Sequence, residues 1–346
     1  MTRQRSPGDS GEIWVIGEQR LGRLEEVSLE LLSKGTALSQ SMGATLAAVL
    51  LGDRVEDIAR ELVFHGAEKV YLIEDDRLRY YQSEAYARLL AGVIKEHEPQ
   101  VVLMGATEIG KELAPRVAAK LRTGLTVHCI DLYVGDVDGT PQLIHVVPGW
   151  GGNVVMHIVC PHKRPQMVTV RPGVLPKGVR DENKKGRIIR VKSDISNEDF
   201  SRIETIEVVE EPSPGKSLES ADVVVCGGWG MNALGDFSRV QELADILGGV
   251  VAGTRPAVDK GWVDEVRMIG QSGKTVSPKL FVSLGASGAM HYTTGFLGSK
   301  VVLAVDQNPR APIFQMADVG IVGDLREVLP CLIEELGKDR MPETVN

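Results

Sequence analysis

The 346-residue sequence has no apolar run near the roughly 20 residues that a membrane-spanning helix needs. Its first ten residues, MTRQRSPGDS, lack the apolar core of a secretory signal peptide, and their polarity favours a short disordered lead-in. We therefore expect a cytoplasmic protein with no transmembrane segment. Hydrophobic residues make up 43% of the chain and charged residues 25%, which is typical of a globular protein, and the length suits two domains.

Cysteine is also scarce, with four residues scattered through apolar runs and none in a CxxC pair, so we expect buried, reduced thiols. The formal net charge of −8 argues against a nucleic-acid partner, because nucleic acids select basic surfaces. No nucleophile–base pair stands out, which favours a carrier over a catalyst. Six histidines have no mutual spacing typical of a metal site: His65, His97, His128, His145, His157 and His162.

Strand-like and helix-like stretches alternate through residues 12–124, a rhythm that predicts a parallel sheet covered on both faces. Consecutive strands are expected at residues 126–171, where they extend this sheet or form an antiparallel flap. Residues 172–200 are polar and hold a basic run, so they are predicted to be an exposed linker, followed by a strand at 203–211. The sequence predicts an α/β fold with one domain at residues 11–205 and another at 206–340.

The second domain reads as a doubly wound α/β domain with four loops rich in Gly, Ser and Thr. None is a GxGxxG fingerprint, and GQSGKT lacks the spacing of a phosphate-binding P-loop. The loops flank short strands, and ligands of such sheets bind outside the carboxyl ends of the strands. We therefore predict a ligand site formed by AGTRPAVDKGW (252–262), GQSGKTVSP (270–278), GASGAMHYTTG (285–295) and VDQNPRAPIF (305–314).

Together these motifs resemble the alpha subunit of electron-transfer flavoproteins. The corresponding segments are Thr254-Arg255, residues 270–274, residues 287–292 and Asp306 before residues 308–314. VCPHKRPQMVTVRPGV, residues 159–174, is similar to that family's domain junction. The resemblance implies an N-terminal nucleotide-hydrolase-like α/β domain and a C-terminal Rossmann-like domain that binds FAD. The residues it assigns to FAD are Trp229, Thr254, Arg255, Ile269, Gly270, Gln271, Ser272, Ser287, Gly288, Ala289, Met290, His291, Tyr292, Asp306, Asp324 and Leu325.

The resemblance also implies individual roles. Arg255 would lie beside the flavin ring and favour its reduced, negatively charged form, although a surface pair with Asp259 is the alternative. Ser272 keeps the hydroxyl with which the family's Thr reaches flavin N5. Ser287 would contact the pyrophosphate, with Gly288 allowing close approach.

Three positions depart from the family pattern. Trp229 replaces an Arg near the phosphates, and Asp306 replaces an Asn, so the pocket is less positive by about two charges. Tyr292 stands where the family has a His that bonds flavin O2. A phenol donates one hydrogen bond but stays neutral near pH 7. Alternatively, His291 replaces the missing His.

We expect an FAD-carrying electron-transfer subunit. The resemblance implies a beta subunit that carries AMP or a second FAD, and an acyl-CoA or other dehydrogenase as redox partner, within an electron-bifurcating system in some members. It also implies that the second domain swivels between partners. A nicotinamide-dependent oxidoreductase using the same C-terminal site is the alternative, weakened by the missing GxGxxG. A nucleotide-binding regulatory module on the first domain is a third reading, weakened by the absence of a phosphate loop after the first strand.

Overall fold

The computed structural model describes residues 11–149, 154–196, 203, 205–209, 217–218, 221–235 and 237–338. These residues divide into two compact units. One holds residues 11–149 and the described residues between 155 and 209, and the other holds Val154 and the described residues from 217 onwards. The predicted boundary at residues 205–206 lies close to this division. No helix among these residues is long and apolar enough to cross a membrane.

The first unit contains the predicted alternation of strands and helices. Its strands are β1 (Glu12–Gly17), β2 (Gln19–Arg20), β3 (Arg23–Leu24), β4 (Thr45–Gly52), β5 (Lys69–Glu74), β6 (Val101–Gly105), β7 (Leu125–Cys129), β8 (Asp131–Val137), β9 (Thr140–Gly149), β10 (Val154–Val159), β11 (Gln166–Val170) and β12 (Arg187–Arg190). Its helices are α1 (Glu26–Met42), α2 (Glu56–Phe64), α3 (Ser83–His97) and α4 (Glu108–Leu121).

Seven of these strands form one parallel sheet in the order β12-β5-β4-β1-β6-β11-β7. Both faces are buried, as the continuous apolar strands predict. In β1, Ile13 and Val15 pack with α1 and α2 on one face, while Trp14 and Ile16 pack with α3 and α4 on the other. The alternation follows from the two-residue period of a strand.

Residues 126–171 combine the two arrangements that the sequence allowed, an extension of the parallel sheet and an antiparallel flap. β7 and β11 extend the parallel sheet, whereas β8, β9 and β10 form a separate three-stranded sheet. β8 and β9 are joined as an antiparallel hairpin, with Asp131 opposite Val146. Leu132, Leu143 and Val147 attach this small sheet to the core on the α1 face.

The predicted linker and the strand after it need correction. β12 lies inside the stretch predicted to be an exposed connection, and it pairs in parallel with β5 at the edge of the large sheet. Its outward Arg190 bonds Glu74 at 2.5 Å and also pairs with Glu56. The prediction of a strand at residues 203–211 is wrong for the described residues 203 and 205–209, because these residues have no strand structure.

The second unit is a doubly wound α/β unit, as predicted. Its strands β13 (Val223–Gly227), β14 (Val250–Gly253), β15 (Leu280–Leu284), β16 (Val301–Asp306) and β17 (Val319–Val322) form one parallel sheet in the order β14-β13-β15-β16-β17. The helices are α5 (Ser238–Leu247), α6 (Arg255–Asp259), α7 (Met290–Thr293) and α8 (Leu325–Lys338). α5, α6 and α8 cover one face, and the segment around Tyr292 and Phe296 covers the other.

Candidate functional site

The predicted site residues gather at one edge of the second sheet, where its five parallel strands end. Trp229 follows β13, Thr254 and Arg255 follow β14, and Asp324 follows β17. Residues 287–292 follow β15, and Asp306 is the last residue of β16. This edge includes the point where the strand order reverses around β13, which is where such sheets bind ligands.

Backbone hydrogen bonds join the loops into one continuous rim. The N–H of Ile269 donates to the carbonyl of Gly253 at 2.9 Å, which places residues 269–272 beside the end of β14. The N–H of Gln271 donates to His291 at 2.7 Å and connects the second loop to the third. The N–H of Ile313 donates to Ser287 at 3.0 Å and adds the fourth loop. Hence four segments far apart in sequence form a single surface.

Gly288 is required by this arrangement. Its φ of +85° belongs to the left-handed region, and a Cβ at this position would lie 2.3 Å from the backbone nitrogen of Ile313. The third and fourth loops can therefore meet only because residue 288 has no side chain. The turn leaves the N–H groups of Ser287, Gly288 and Met290 without an acceptor among the described residues.

Thr254 adds an unusual buried group. The residue is 5% exposed, and its Oγ1 has no hydrogen-bond partner among the described residues. A buried hydroxyl without a partner is costly in a folded protein, so such a group at a strand end commonly indicates a ligand contact. With the free N–H groups on the rim, Thr254 fits a ligand that carries several hydrogen-bond acceptors, as the pyrophosphate and the isoalloxazine carbonyls of FAD do.

Arg255 has the surface pair that was the alternative to a flavin contact. Its Nε donates to Oδ1 of Asp259 at 2.7 Å, one turn later in α6. Asp259 raises the pKa of Arg255 above the ordinary guanidinium value. The side chain is 62% exposed, so it also remains accessible to a ligand on the rim.

His291 and Tyr292 point to opposite sides of the loop. His291 is exposed, and its Nδ1 lies 2.5 Å from Oε1 of Gln271. Tyr292 is 7% exposed, packs with its ring 5.0 Å from that of Phe296, and shares a 3.0 Å hydrogen bond with Ser283. Burial raises the pKa of Tyr292 far above that of a free phenol. Ser283 thus already engages the Tyr292 hydroxyl. A hydrogen bond from Tyr292 to a flavin stays a prediction.

The structure adds a cation that the sequence analysis did not single out. Trp229 is 52% exposed, its ring lies 6.2 Å from that of Trp262, and Nζ of Lys260 lies 5.4 Å from its centre. Lys260 directly follows α6 and stands beside the position from which the family's Arg is missing. Lys260 lies in the predicted loop 252–262, but no sequence signal reveals its pairing with Trp229, which is 31 residues away.

The two acidic positions of the rim are engaged locally. Asp306 accepts a 2.8 Å hydrogen bond from the N–H of Asn308. Asp324 accepts bonds from the N–H and the guanidinium of Arg326, which lowers the pKa of Asp324 to about 2. Arg326 therefore offsets one of the negative charges at this edge. Across the described ranges, no group of three His, Cys, Asp or Glu side chains could hold a metal ion.

Residues 13–196 match the family model for the electron transfer flavoprotein domain, and residues 217–297 match the model for the electron transfer flavoprotein FAD-binding domain. A benzoylformate decarboxylase from Polynucleobacter necessarius aligns with 93% of this chain and 58% of its own at a TM-score of 0.23 and 11% identity, which is too weak to indicate anything further.

Relatives match over nearly the full chain. Electron transfer flavoprotein subunits alpha from Thermoanaerobacterium thermosaccharolyticum and Megasphaera elsdenii are 43% and 42% identical over 330 residues, or 95% of this chain and 99% and 97% of theirs. The subunit LctC of a lactate dehydrogenase (NAD(+),ferredoxin) from Acetobacterium woodii is 37% identical over 90% of this chain and 73% of its own.

The fold and the family models define an FAD-binding electron-transfer protein built from two α/β units. The chain belongs to the electron transfer flavoprotein alpha subunit family. Its cofactor is FAD, and its function is electron transfer.

Proposed function

We propose that the rim formed by the predicted residues is the FAD site. The single observation that supports this most is the presence of polar groups without protein partners at the carboxyl ends of β14 and β15: the buried Thr254 hydroxyl and the free N–H groups of Ser287, Gly288 and Met290. The bound isoalloxazine would accept electrons from one protein and release them to another. The protein's own contribution is to bind the cofactor and to fix charges around it.

Arg255, Ser272 and His291 are assigned to the flavin side of the site. All three are exposed on neighbouring loops, and the contact between Gln271 and His291 holds two of these loops together. Arg255 supplies a fixed cation, which stabilises negative charge on a reduced ring. We assign the bond to flavin O2 to His291 rather than Tyr292, because Ser283 already occupies the Tyr292 hydroxyl.

Lys260 is assigned to the phosphate side. Its ammonium group lies over the exposed Trp229 ring, an arrangement that holds a flexible cation in place by a cation–π interaction. A pyrophosphate needs positive charge nearby, and Trp229 itself supplies none. Lys260 would thus supply the positive charge that the family's Arg supplies at the position of Trp229.

A beta subunit is the partner we propose for the small sheet of the first unit. β10 is at the edge of this sheet, and Val154, Val155 and Met156 are 46%, 48% and 40% exposed. Because successive residues of a strand face opposite sides, β10 is open on both faces as well as along its edge. Such a strand is prone to pair with another chain. The sequence analysis also named Ile158, which is half-buried, and Trp150, which lies outside the described residues.

The wider assignment follows the family. We infer a heterodimer in which the beta subunit carries AMP or a second FAD. This heterodimer receives electrons from an acyl-CoA dehydrogenase or another dehydrogenase in the cytoplasm. The relative named as a subunit of a lactate dehydrogenase (NAD(+),ferredoxin) supports a dehydrogenase partner. The nicotinamide-dependent alternative has no comparable support from any feature of the rim.

The substitution Thr254→Val tests the FAD site. The change removes one hydroxyl of nearly the same volume, so FAD should bind about five- to tenfold more weakly, as expected for one lost hydrogen bond. Thermal stability should not fall, because this hydroxyl has no protein partner. Fluorescence titration with FAD measures the affinity. Thr293→Val is the matched control: its hydroxyl bonds the carbonyl of Met290, so that variant should lose stability instead. Unchanged affinity in Thr254→Val would place FAD elsewhere.

A further inference from the structure

Three basic side chains lie at the carboxyl edge of the large sheet in the first unit. His128 is the penultimate residue of β7, Arg171 directly follows β11, and Lys111 is in the first turn of α4. β6, β11 and β7 are parallel, and α4 follows β6, so all three residues belong to the same edge of the sheet. The N–H of Arg171 donates to the carbonyl of Cys129 at 2.9 Å, which fixes Arg171 beside the end of β7.

These three side chains have no acidic partner. None of them makes a hydrogen bond or an ion pair with any of the described residues. The chain holds 47 acidic and 39 basic residues, so acidic partners are more numerous than basic ones. Other basic side chains of this unit do pair, as Arg180 does with Glu61. Lys111, His128 and Arg171 therefore form a local concentration of positive charge in a protein whose net charge is −8.

Burial makes this unpaired charge costly. Arg171 is half-buried, and burial lowers its pKa with no carboxylate to oppose the effect. A guanidinium that leaves water without a counter-ion is unfavourable. Burial also lowers the pKa of His128, and the charges of Arg171 and Lys111 lower it further. Both cations thus act on the same imidazole, so the three side chains share one space.

The charge of this cluster matches a dianion. Arg171 and Lys111 carry two permanent positive charges, and a phosphate group carries about −1.5 to −2 at neutral pH. A carboxylate, with one negative charge, would leave one of the two cations unpaired. We propose that Lys111, His128 and Arg171 bind a small tetrahedral dianion of the phosphate class. Arg171 donates to two of its oxygens through the guanidinium fork, Lys111 supplies a point charge, and His128 donates one N–H.

Sulfate is the probe for this site, because it stays a dianion over the pH range in which phosphate changes its charge. It is titrated calorimetrically at low ionic strength into the FAD-loaded complex of the full chain with its beta subunit. Arg171→Gln should weaken sulfate binding about tenfold, because a charge-assisted pair of hydrogen bonds is lost. Arg171→Lys should recover only part of the affinity, since it restores the charge but not the fork. Inorganic phosphate should displace the sulfate.

His128 provides a signature that a merely structural role would not give. The charged groups that act on it are Lys111 from α4 and Arg171 after β11. A bound anion favours the protonated imidazole, so sulfate should bind more tightly at about pH 5.5 than at about pH 8. His128→Asn should remove this difference. Asn suits the position because the backbone of His128 is left-handed, with a φ of +58°, and Asn tolerates that conformation.

Arg122→Gln is the control, because Arg122 is an exposed arginine without a partner among the described residues and lies at the other end of α4. Sulfate should raise the unfolding temperature of this control but not that of Arg171→Gln. Without sulfate, Arg171→Gln should lose no stability, since its guanidinium has no protein partner. FAD absorbance should stay unchanged throughout, which separates this proposal from the assignment of the FAD site.

Two results would overturn the proposal. One is sulfate binding in which no component responds to Arg171→Gln or Lys111→Gln. The other is weaker assembly with the beta subunit in Arg171→Gln together with unchanged sulfate binding, because the cluster would then meet a carboxylate of that subunit. Sedimentation velocity measures the assembly, and the same samples serve for the titration.

Discussion

Nδ1 of His291 lies 2.5 Å from Oε1 of Gln271, while the next residue, Tyr292, turns into the core and bonds Ser283 at 3.0 Å. The two neighbours thus serve different parts of the molecule. His291 belongs to the rim, and Tyr292 belongs to the packing beneath it. This division decides which of the two can influence a cofactor.

Replacing each of these two side chains separately should therefore change a different quantity, either the FAD midpoint potential or the stability. Tyr292→Phe should leave the FAD midpoint potential unchanged but lower the free energy of unfolding by about 0.5–1.5 kcal/mol, the value of one hydrogen bond. His291→Ala should lower the potential, because the reduced flavin loses a hydrogen-bond donor, with little effect on stability. Potentiometric titration and thermal denaturation measure the two quantities. A shifted potential in Tyr292→Phe would show that the phenol leaves Ser283 for the cofactor.

Arg255 offers a second test of the flavin side. Arg255→Ala should lower the one-electron potential of FAD by about 40 mV, since an exposed charge contact is worth about 1 kcal/mol and 59 mV corresponds to a tenfold change. Asp259→Asn is the informative companion, because it removes the anion that now partly neutralises Arg255 and should raise the potential. If both variants keep the wild-type midpoint, Arg255 does not face the ring.

Lys260 should matter for affinity rather than potential. Lys260→Gln should weaken FAD binding about threefold to tenfold at low salt and less at high salt, because the interaction with phosphate is screened. Lys279→Gln is the control, since Lys279 is also an exposed lysine but pairs with Asp222 near the start of β13. Trp229→Arg in the Lys260→Gln background should restore binding, and failure to do so would separate Lys260 from the phosphates. Fluorescence titration with FAD at two salt concentrations measures the affinity of each variant.

The sequence predicted most of the fold because its helices and strands have strong local signals. Apolar periodicity defined α1, α3 and α4, and continuous apolar runs defined the buried parallel strands. β12 escaped this reasoning because RIIR carries only two apolar residues inside a basic stretch. Its position depends on pairing with β5, which is distant in sequence. A local sequence pattern does not predict such a long-range pairing.

The site was predictable in location but less so in detail. Loops that follow parallel strands must meet at one sheet edge, so the position of residues 254, 287 and 306 follows from topology alone. The direction of a side chain within a short turn depends on packing instead. Tyr292 is drawn inward by Phe281 and Phe296, and Lys260 is placed over Trp229 by the end of α6. Neither contact can be read from the spacing of motifs.

The exposed β10 strand predicts dependence on the beta subunit. The isolated chain should self-associate at micromolar concentration, because an apolar edge strand remains uncovered. Val155→Asp should weaken heterodimer formation at least tenfold, since a buried carboxylate without a partner is costly. Val179→Asp, at a position 86% exposed in the same unit, is the control and should leave assembly unchanged. Sedimentation velocity distinguishes these outcomes, and a stable monomer of the unmodified isolated chain would contradict the prediction.

Glu18 should make the stability of the first unit depend on pH. Burial raises the pKa of Glu18 to about 7, aided by the negative charge of Glu25 and opposed by the Thr107 hydrogen bond and by Arg20. The ordinary pKa of an unfolded Glu is about 4.3, so between these two values the folded state holds a proton that the unfolded state has released. Stability therefore falls as the pH rises through this window.

Glu18→Gln removes the titration while keeping the size of the side chain and an oxygen for the Thr107 bond. The variant should match the wild type near pH 4.5 and be more stable at pH 8, by up to about 4 kcal/mol, which is the full pKa difference at 1.36 kcal/mol per unit. Glu108→Gln, an exposed neighbour of Thr107, should follow the wild-type curve. Chemical denaturation between pH 4.5 and 8 gives the free energies. Parallel curves for the wild type and Glu18→Gln would show that Glu18 ionises in the folded protein as it does in water, and that its carboxylate is not held in an apolar pocket.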